Sequence, residues 1–283
     1  MRCPTKEVLP QLISLVTYGN EFLVDGQTTD PPELFPAHST FERARSSRFL
    51  LVSNPASGPI ATGTRDWYVH LKSTGTKRLW FVVSPKEFES HKDATWGWYK
   101  GDIPWGIRAD RESIHDFWIP EWRSTSVTRG SQTDKRIWDV VYRSVERKDL
   151  SSLDDMTTDQ AVSQLHDALE EVVKFASKAK LNSWRPVFQH ALESGSSTEV
   201  EIPDHRDLIP QNACEGKPRQ LLALSLLSWV FGGMGWWNDV GPFYNPITNS
   251  RYHQVTDRLY AAVLTALVVG ANTCVPGQAK NTD

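Results

Sequence analysis

The stretch TTDQAVSQLHDALEEVVKFASKAK, residues 157–180, decides much of the fold. Thr157 is followed three residues later by Gln160, a spacing typical of a capping box, in which two side chains and two backbone N–H groups bond reciprocally at a helix start. Apolar residues then recur at helical spacing, namely Ala161, Leu165, Ala168, Leu169, Val172 and Phe175. The pattern predicts a helix over 158–180.

The rest of the C-terminal half is also helical by its pattern. A short helix is predicted over 184–193, a buried helix over 218–231 and a last helix over 250–271. A connection that contains several glycines, prolines and serines lies at 194–217. In this half we expect helices to form nearly all of the regular structure.

The N-terminal half carries shorter apolar runs, most of them β-branched and aromatic, behind a predicted opening helix over 5–24. Strands are predicted at 49–52, 67–71 and 79–83, the last two as an antiparallel hairpin. Residues 95–122 are rich in tryptophan, glycine and proline, which predicts loops and irregular strands. Periodicity leaves 137–145 open between a strand and a short helix.

These predictions define an α+β protein, in which an antiparallel-sheet-rich N-terminal half packs with a helical C-terminal half. The first subdomain spans 1–148, and it is strand-rich and Trp-rich with the opening helix. The helical subdomain spans 149–275, and a disordered tail follows at 276–283. A chain of 283 residues is near the upper limit for one hydrophobic core, so we expect two layers that share a core.

Charge and composition narrow the class of protein. Hydrophobic residues make up 39% and charged residues 23% of the chain, as in ordinary globular proteins. The formal net charge of -3 argues against a protein that coats nucleic acid, so no nucleic-acid partner is expected. Arg43, Arg45 and Arg48 form the strongest basic cluster, which we interpret as a solvated surface rather than a phosphate site.

Cysteine usage and hydropathy bear on location. Cys3, Cys214 and Cys274 are odd in number and widely spaced, which suggests neither a disulfide framework nor a zinc knuckle. A reducing compartment fits that pattern, so a cytoplasmic location is expected. We expect no membrane interaction, because no stretch approaches the roughly 20 apolar residues of a membrane span and the N-terminus lacks a signal-peptide core.

The sequence carries no strong catalytic, nucleotide or metal signature. Gly232 to Gly235 follow a predicted helix, so we interpret them as a left-handed helix stop rather than a phosphate-binding loop. Three histidines have a carboxylate one turn away, which suits a solvated helix face better than a metal site: His166 with Glu170, His190 with Glu193 and His253 with Asp257. No cofactor and no metal are expected.

Two sets of polar and aromatic residues remain as candidate sites. An enzyme of the hydrolase or transferase class would need Asp204, His205, Asp207, Asn238 and Asp239 to converge between the halves. A binding protein would use tryptophans as anchors and an acidic surface against a basic partner. For that function the candidate contact residues are Trp96, Trp98, Trp105, Asp154, Asp155, Asp159, Asn238 and Asp239.

One segment carries a family resemblance. Residues 228–239, SWVFGGMGWWND, resemble a WVFGGMGxWND segment near the C-terminus of bacterial proteins, some of which look like immunity partners of polymorphic or contact-dependent toxins. Trp236 stands where that segment is expected to have a small residue. The resemblance implies a stoichiometric inhibitor that binds a toxin domain and has no catalytic residues. We therefore expect a binding protein, with the enzyme as the alternative.

Overall fold

The structure is a computed structural model that describes ten segments of the chain, residues 5–24, 30–51, 58–84, 105–112, 114–124, 136–145, 151–195, 201–211, 214–232 and 235–274. The predicted tail at 276–283 and two of the candidate tryptophans, Trp96 and Trp98, lie outside these segments.

Within the described residues, six strands form one mixed sheet. They are β1 (Ala44–Leu51), β2 (Ala61–Thr62), β3 (Arg78–Val83), β4 (Trp105–Asp110), β5 (His115–Ser124) and β6 (Trp138–Val145). Their order across the sheet is β2-β1-β6-β5-β4-β3. Neighbouring strands are antiparallel except β1 and β6, which pair in parallel. The region 137–145, left open between strand and helix, is therefore a central strand.

In the ten described segments, six α-helices accompany the sheet. They are α1 (Thr5–Val24), α2 (Thr64–Ser73), α3 (Thr158–Lys178), α4 (Arg185–Ser194), α5 (Lys217–Leu227) and α6 (Pro246–Thr273). Helices α1 and α6 both pack against β3, while α3 and α5 pack against α6 and α4 packs against α3 and α5. The capping box at Thr157 and Gln160 is present as predicted. The molecule is thus α+β, with a sheet half and a helical half whose buried side chains form one cluster.

The outer edge of strand β3 is hydrogen-bonded by groups from distant parts of the chain. β3 is an edge strand, and unpaired edges expose backbone donors and acceptors. The Asn20 amide exchanges hydrogen bonds of 2.7 and 2.9 Å with the backbone of Leu79, and the Asn272 amide exchanges bonds of 2.7 and 2.9 Å with Phe81. The backbone of Ser151 completes the edge at Val83.

The predicted strand at 67–71 is wrong, because the structure places these residues in α2. The buried positions Thr64, Trp67, Tyr68 and Leu71 follow the helical spacing i, i+3, i+4 and i+7. Val69, between them, is half exposed. The predicted hairpin with β3 is therefore also wrong.

The glycine segment does not stop the helix before it. Helix α5 ends at Leu227, and its C-cap Ser228 has an ordinary right-handed conformation with a φ of -84°. Residues 229–232 follow the helix without regular secondary structure. A positive φ does occur in the segment, at Gly235, where it is 88°. Gly232 and Gly235 therefore lie beyond the end of α5 and do not terminate it.

Two of the three cysteines form a disulfide, which corrects the prediction of none. Cys214 precedes α5 and Cys274 follows α6, and their Cα atoms lie 4.6 Å apart. Both residues are buried in the core. The bond ties the connection before α5 to the end of the last helix.

None of the helices in the described segments has the length and apolar character that crossing a membrane requires.

Candidate functional site

A small cavity lies where α1, the connection before α5 and the turn after α5 meet. Its volume is about 90 Å³. Two of its eight lining residues, Asp204 and His205, are polar, and the other six are apolar: Leu9, Pro10, Pro203, Leu226, Trp229 and Trp236. The cavity is therefore an apolar, partly aromatic site with one acidic and one imidazole group.

Asp204 holds an unusual backbone conformation at this cavity. Its φ is 64°, in the left-handed region that aspartate and asparagine tolerate better than most residues. The N–H of His205 donates to the carbonyl of Pro203 at 2.7 Å, so the chain makes a tight three-residue turn around Asp204. Such conformations persist only where the surrounding structure fixes them. The turn thus places Asp204 and His205 together against the apolar wall.

The neighbouring Asp207 fastens this connection to the segment before β1. Its carboxylate accepts a hydrogen bond of 2.9 Å from the backbone N–H of Ser39 and a second, short one from the Ser39 hydroxyl. Burial alone would raise the pKa of Asp207, but these two bonds favour the ionised form, and the net pKa lies below its ordinary value.

His205 completes the contact with Ser39. Its Nδ1 lies 2.7 Å from the Ser39 hydroxyl oxygen. Because that hydroxyl donates its hydrogen to Asp207, Nδ1 of His205 is the donor to Ser39. In a Ser-His-Asp triad the histidine lies between the other two and takes the serine proton. Here the serine lies between them, so the arrangement orients His205 but does not activate Ser39 as a nucleophile.

A second histidine and a tyrosine bind the backbone of the same residue. The Nε2 of His38 lies 2.6 Å from the Asp207 carbonyl oxygen, and the Tyr18 hydroxyl donates to that oxygen at 2.9 Å. Burial lowers the pKa of His38, although the Asp207 charge partly opposes the shift. Burial, with the Asp207 charge, raises the pKa of Tyr18 to about 12. Both groups are therefore neutral at pH 7 and act as fixed hydrogen-bonding supports.

Asn238 and Asp239, at the end of the family-like segment, bond Gly232 and Gly235. The Asn238 side chain accepts a bond of 3.1 Å from the N–H of Gly232 and donates to its carbonyl at 3.2 Å. Asp239 accepts from the N–H of Gly235 at 2.9 Å. Trp237 is buried, and its indole N–H donates to Thr256 at 3.0 Å. The turn is thus fixed to α6 and to itself.

Beyond this turn the chain presents two apolar side chains to solvent. Tyr244 is 108% exposed and Ile247 is 81% exposed, relative to their reference accessibilities. Asn245 lies between them and caps α6, because its side chain accepts from the N–H groups of Ile247 and Thr248. The two exposed side chains therefore stand on a well-anchored helix start, a feature that the sequence analysis missed.

The candidate contact residues fall into different environments. Trp105 is fully buried, with its ring edge-on to Trp229 at 6.1 Å, so it cannot offer its ring to a partner. Asp154 pairs with Arg108 at 3.5 Å and Asp159 pairs with Lys217 at 2.7 Å, while Asp155 is exposed. The carboxylates of Asp154 and Asp159 therefore already have basic partners within the chain.

The candidate enzyme residues do not line one cavity in the described structure. Asp204 and His205 line it, whereas Asp207 bonds Ser39, and Asn238 and Asp239 bond the glycine turn. The interpretation of a shared acid–base site between the halves is therefore not supported by their positions.

The remaining candidates take structural roles. In the described segments, no group of three or more His, Cys, Asp or Glu side chains is placed to hold a metal. His166 faces Glu170 at 3.9 Å on the exposed side of α3. Of the arginine cluster, Arg45 pairs with Asp139 at 3.3 Å and is more than half exposed.

Comparison with protein-family models, curated proteins and solved structures finds no match to this chain.

Proposed function

We propose that this protein binds a protein partner through the surface formed by Tyr244 and Ile247, together with Asp239 on the preceding turn. We further propose that the partner is a toxin domain and that binding neutralises it, as the resemblance of residues 228–239 to immunity proteins suggests. The observation that carries the binding proposal is the exposure of two large apolar side chains on a rigid helix start.

Exposed apolar groups on such a support suit recognition for two reasons. Tyrosine is enriched among the residues that dominate binding energy at protein interfaces. The capped start of α6 and the bonded glycine turn hold the surface in place before binding, which reduces the entropy that ordering would cost. Tyr244 and Ile247 lie three positions apart in the sequence, at the start of the same helix.

A hydrolase or transferase function has weaker support. The only polar pair at the described cavity is Asp204 and His205, and the nearest hydroxyl, on Ser39, already donates to Asp207. Nucleophilic catalysis would require a base to accept the proton of that hydroxyl.

The cytoplasmic location expected from the sequence stays a prediction. The disulfide between Cys214 and Cys274 weighs against it, since such bonds are rare in reducing compartments.

The test uses the candidate toxin domain encoded beside the gene for this protein. Calorimetric titration should give sub-micromolar affinity, and co-expression should restore growth of cells that make the toxin. The double variant Tyr244→Ser, Ile247→Ser should weaken binding roughly thirtyfold or more, which corresponds to about 2 kcal/mol.

Ile114 offers a matched control, because it is 55% exposed but lies between β4 and β5. Ile114→Ser should leave the affinity unchanged. Affinity of the double variant equal to that of wild type would reject this surface, and absence of sub-micromolar binding to the toxin domain would reject the immunity function.

A further inference from the structure

We infer that the outer face of the sheet, where β1, β6 and β5 lie side by side, binds an acidic peptide segment that carries two or more carboxylates. Four arginines and two carboxylates on these strands form the surface, which we call the arginine face: Arg45, Arg48, Arg123, Arg143, Glu121 and Asp139. It shares no residue with the surface of Tyr244 and Ile247, so the inference does not rest on the proposed function.

Strand β6 has one face toward the helices and one away from them. Successive side chains of a strand point to opposite faces of the sheet. Val140 and Tyr142 are fully buried, and the Tyr142 hydroxyl donates to the side chain of Gln11 in α1. Asp139 and Arg143 occupy the alternate positions of β6 and therefore lie on the outer face.

The neighbouring strands bring further charges to this face. Val141, on the outer face of β6, pairs with Arg48 of β1 on one side and with Glu121 of β5 on the other. Arg123 of β5 lies opposite Asp139. Adjacent strands are about 4.8 Å apart, so the three strands span only about 10 Å of the sheet. The register therefore concentrates these charges on a small area.

Most of the charges on the arginine face are held in ion pairs. The two carboxylate oxygens of Asp139 accept hydrogen bonds of 3.4 and 3.3 Å from Arg45. Glu121 accepts a bond of 2.8 Å from Arg143 and one of 3.0 Å from Arg123. These contacts orient the long arginine side chains before any partner arrives, which lowers the entropy that binding would cost.

The pairing leaves positive charge in excess. Four arginines share two carboxylates, which gives the arginine face a net charge of +2 on a chain whose net charge is -3. Arg48 is exposed, and the ion pairs of the described structure do not include it. Arg45 and Arg123 are more than half exposed. A partner with complementary negative charge would meet this excess.

The size and the charge of the arginine face favour a short acidic segment over a nucleic acid. The planar guanidinium group matches carboxylate and phosphate equally well. Nucleic-acid binding, however, gains its affinity from many phosphates along a strand. The excess of +2 is confined to three strands, and the remainder of the chain is net negative. A segment with a few carboxylates therefore fits this face better than a long polyanion.

This inference changes the interpretation of the basic cluster in the sequence. Arg45 and Arg48 are exposed, as a solvated surface requires, but the sheet adds Arg123 and Arg143 beside them. The concentration of positive charge arises from strand pairing, so residues 43–48 alone do not reveal it.

The test uses a capped peptide of alternating glutamate and serine as the probe, and the same peptide with glutamine in place of glutamate as its neutral counterpart. Proton–nitrogen correlation NMR of the full chain measures both affinities at about 20 mM salt, where screening is weak. The acidic peptide should shift backbone signals of β1, β5 and β6 and bind roughly fivefold or more tightly than the neutral one. Equal affinities, or no binding of either peptide, would overturn the inference.

Arg48→Gln is the decisive variant, because Arg48 takes part in no ion pair of the described structure and its loss should leave the fold unchanged. It should weaken binding of the acidic peptide roughly two- to fivefold, the range for an exposed ion pair. Arg185→Gln is the matched control, since Arg185 is also exposed but begins α4 in the helical half. Equal effects of the two variants would contradict a site on the arginine face.

Two further measurements separate charge recognition from other roles of this face. Glu121→Gln raises the excess positive charge, so the acidic peptide should bind this variant roughly two- to fivefold more tightly than the wild type. Weaker binding would refute the charge argument. A single-stranded oligothymidylate of the same charge as the peptide should bind less tightly than the peptide. Tighter binding that Arg48→Gln weakens would assign the face to nucleic acid and overturn the inference.

Discussion

Loss of the bond between Cys214 and Cys274 should destabilise the protein substantially. The two cysteines are 60 residues apart in sequence, so the bond closes a long loop in the unfolded chain. For a loop of that length the chain-entropy relation for cross-links gives about 14 cal/mol/K, or about 4 kcal/mol near room temperature. A typical domain has only about 5–15 kcal/mol of stability, so the effect is a large part of the total.

Urea unfolding of the oxidised and the reduced wild-type chain measures this difference, because the two forms differ by two hydrogen atoms only. The double variant Cys214→Ala, Cys274→Ala adds the loss of two buried side chains and should be at least as unstable as the reduced form. Thiol alkylation of the denatured chain gives an independent count. We expect one reactive thiol, on Cys3, before reduction and three after it.

Two results would refute the reasoning. Three reactive thiols in protein prepared without reductant, from an oxidising compartment, would mean that the bond does not form. Coincident urea midpoints of the oxidised and reduced chains would mean that the bond forms but does not constrain the unfolded state as the loop length implies.

Three further changes test other parts of the structure. Asn272→Leu should lower the free energy of unfolding by about 2–5 kcal/mol, because it leaves the backbone N–H and carbonyl of Phe81 in β3 buried and unpaired. Urea unfolding of the variant and the wild type measures this loss. Gly235→Ala should lower the free energy of unfolding by about 1 kcal/mol or more, because the φ of Gly235 is positive. Thermal melts measure this loss. If phosphate raised the Tm of the wild type but not that of the variant, a purely structural role of Gly235 would be contradicted. Stability should also fall as the pH drops below about 6.5, because burial lowers the pKa of His38 and the unfolded chain then binds the extra proton. Stability should fall again in the acid range, because the pKa of Asp207 in the folded state is also lowered. The urea midpoint of Asp207→Asn should therefore depend less on pH in the acid range than that of the wild type. An equal dependence in both proteins would refute the role of Asp207.

Local signals in the sequence were sufficient to predict several helices. The capping box at Thr157 and Gln160, the apolar spacing of α3 and the opening helix all concern residues that are neighbours in the chain, so they can be read without the fold. The α+β class followed from these elements. The parallel pairing of β1 with β6 did not, because it joins strands about ninety residues apart and depends on the whole sheet.

The strand predicted at 67–71 shows how a short window misleads. Trp67, Tyr68 and Val69 are strand-favouring types, and five residues are too few to show a period of 3.6. Extending the window back to Thr64 brings the buried positions into helical register. The helix buries Trp67 against Phe49 of the sheet and Tyr68 against α1. This tertiary packing overrides the intrinsic preference of these residues for strands.

Only part of the candidate site could be predicted from the sequence. Asp204 and His205 stand out in sequence as members of a polar cluster, but the cavity beside them also needs Leu9 from α1 and Trp229 from the turn after α5. The disulfide is similar, because pairing depends on which cysteines the fold brings together. The Asn245-Pro246 helix start was visible in the sequence, and it marks Tyr244 and Ile247 as flanking positions.

The hydrogen bonds at the outer edge of β3 have a consequence during synthesis of the chain. Asn20, which bonds the edge at Leu79, is synthesised before β3, but the groups that bond the edge at Phe81 and Val83 come from Asn272 and Ser151, which follow β3 in the sequence. A ribosome-bound intermediate, or a product truncated before Asn272, therefore carries an apolar strand with open hydrogen-bonding positions, which is a template for aggregation. Pairing of the Phe81 backbone with Asn272 thus requires that α6 has been synthesised and has docked.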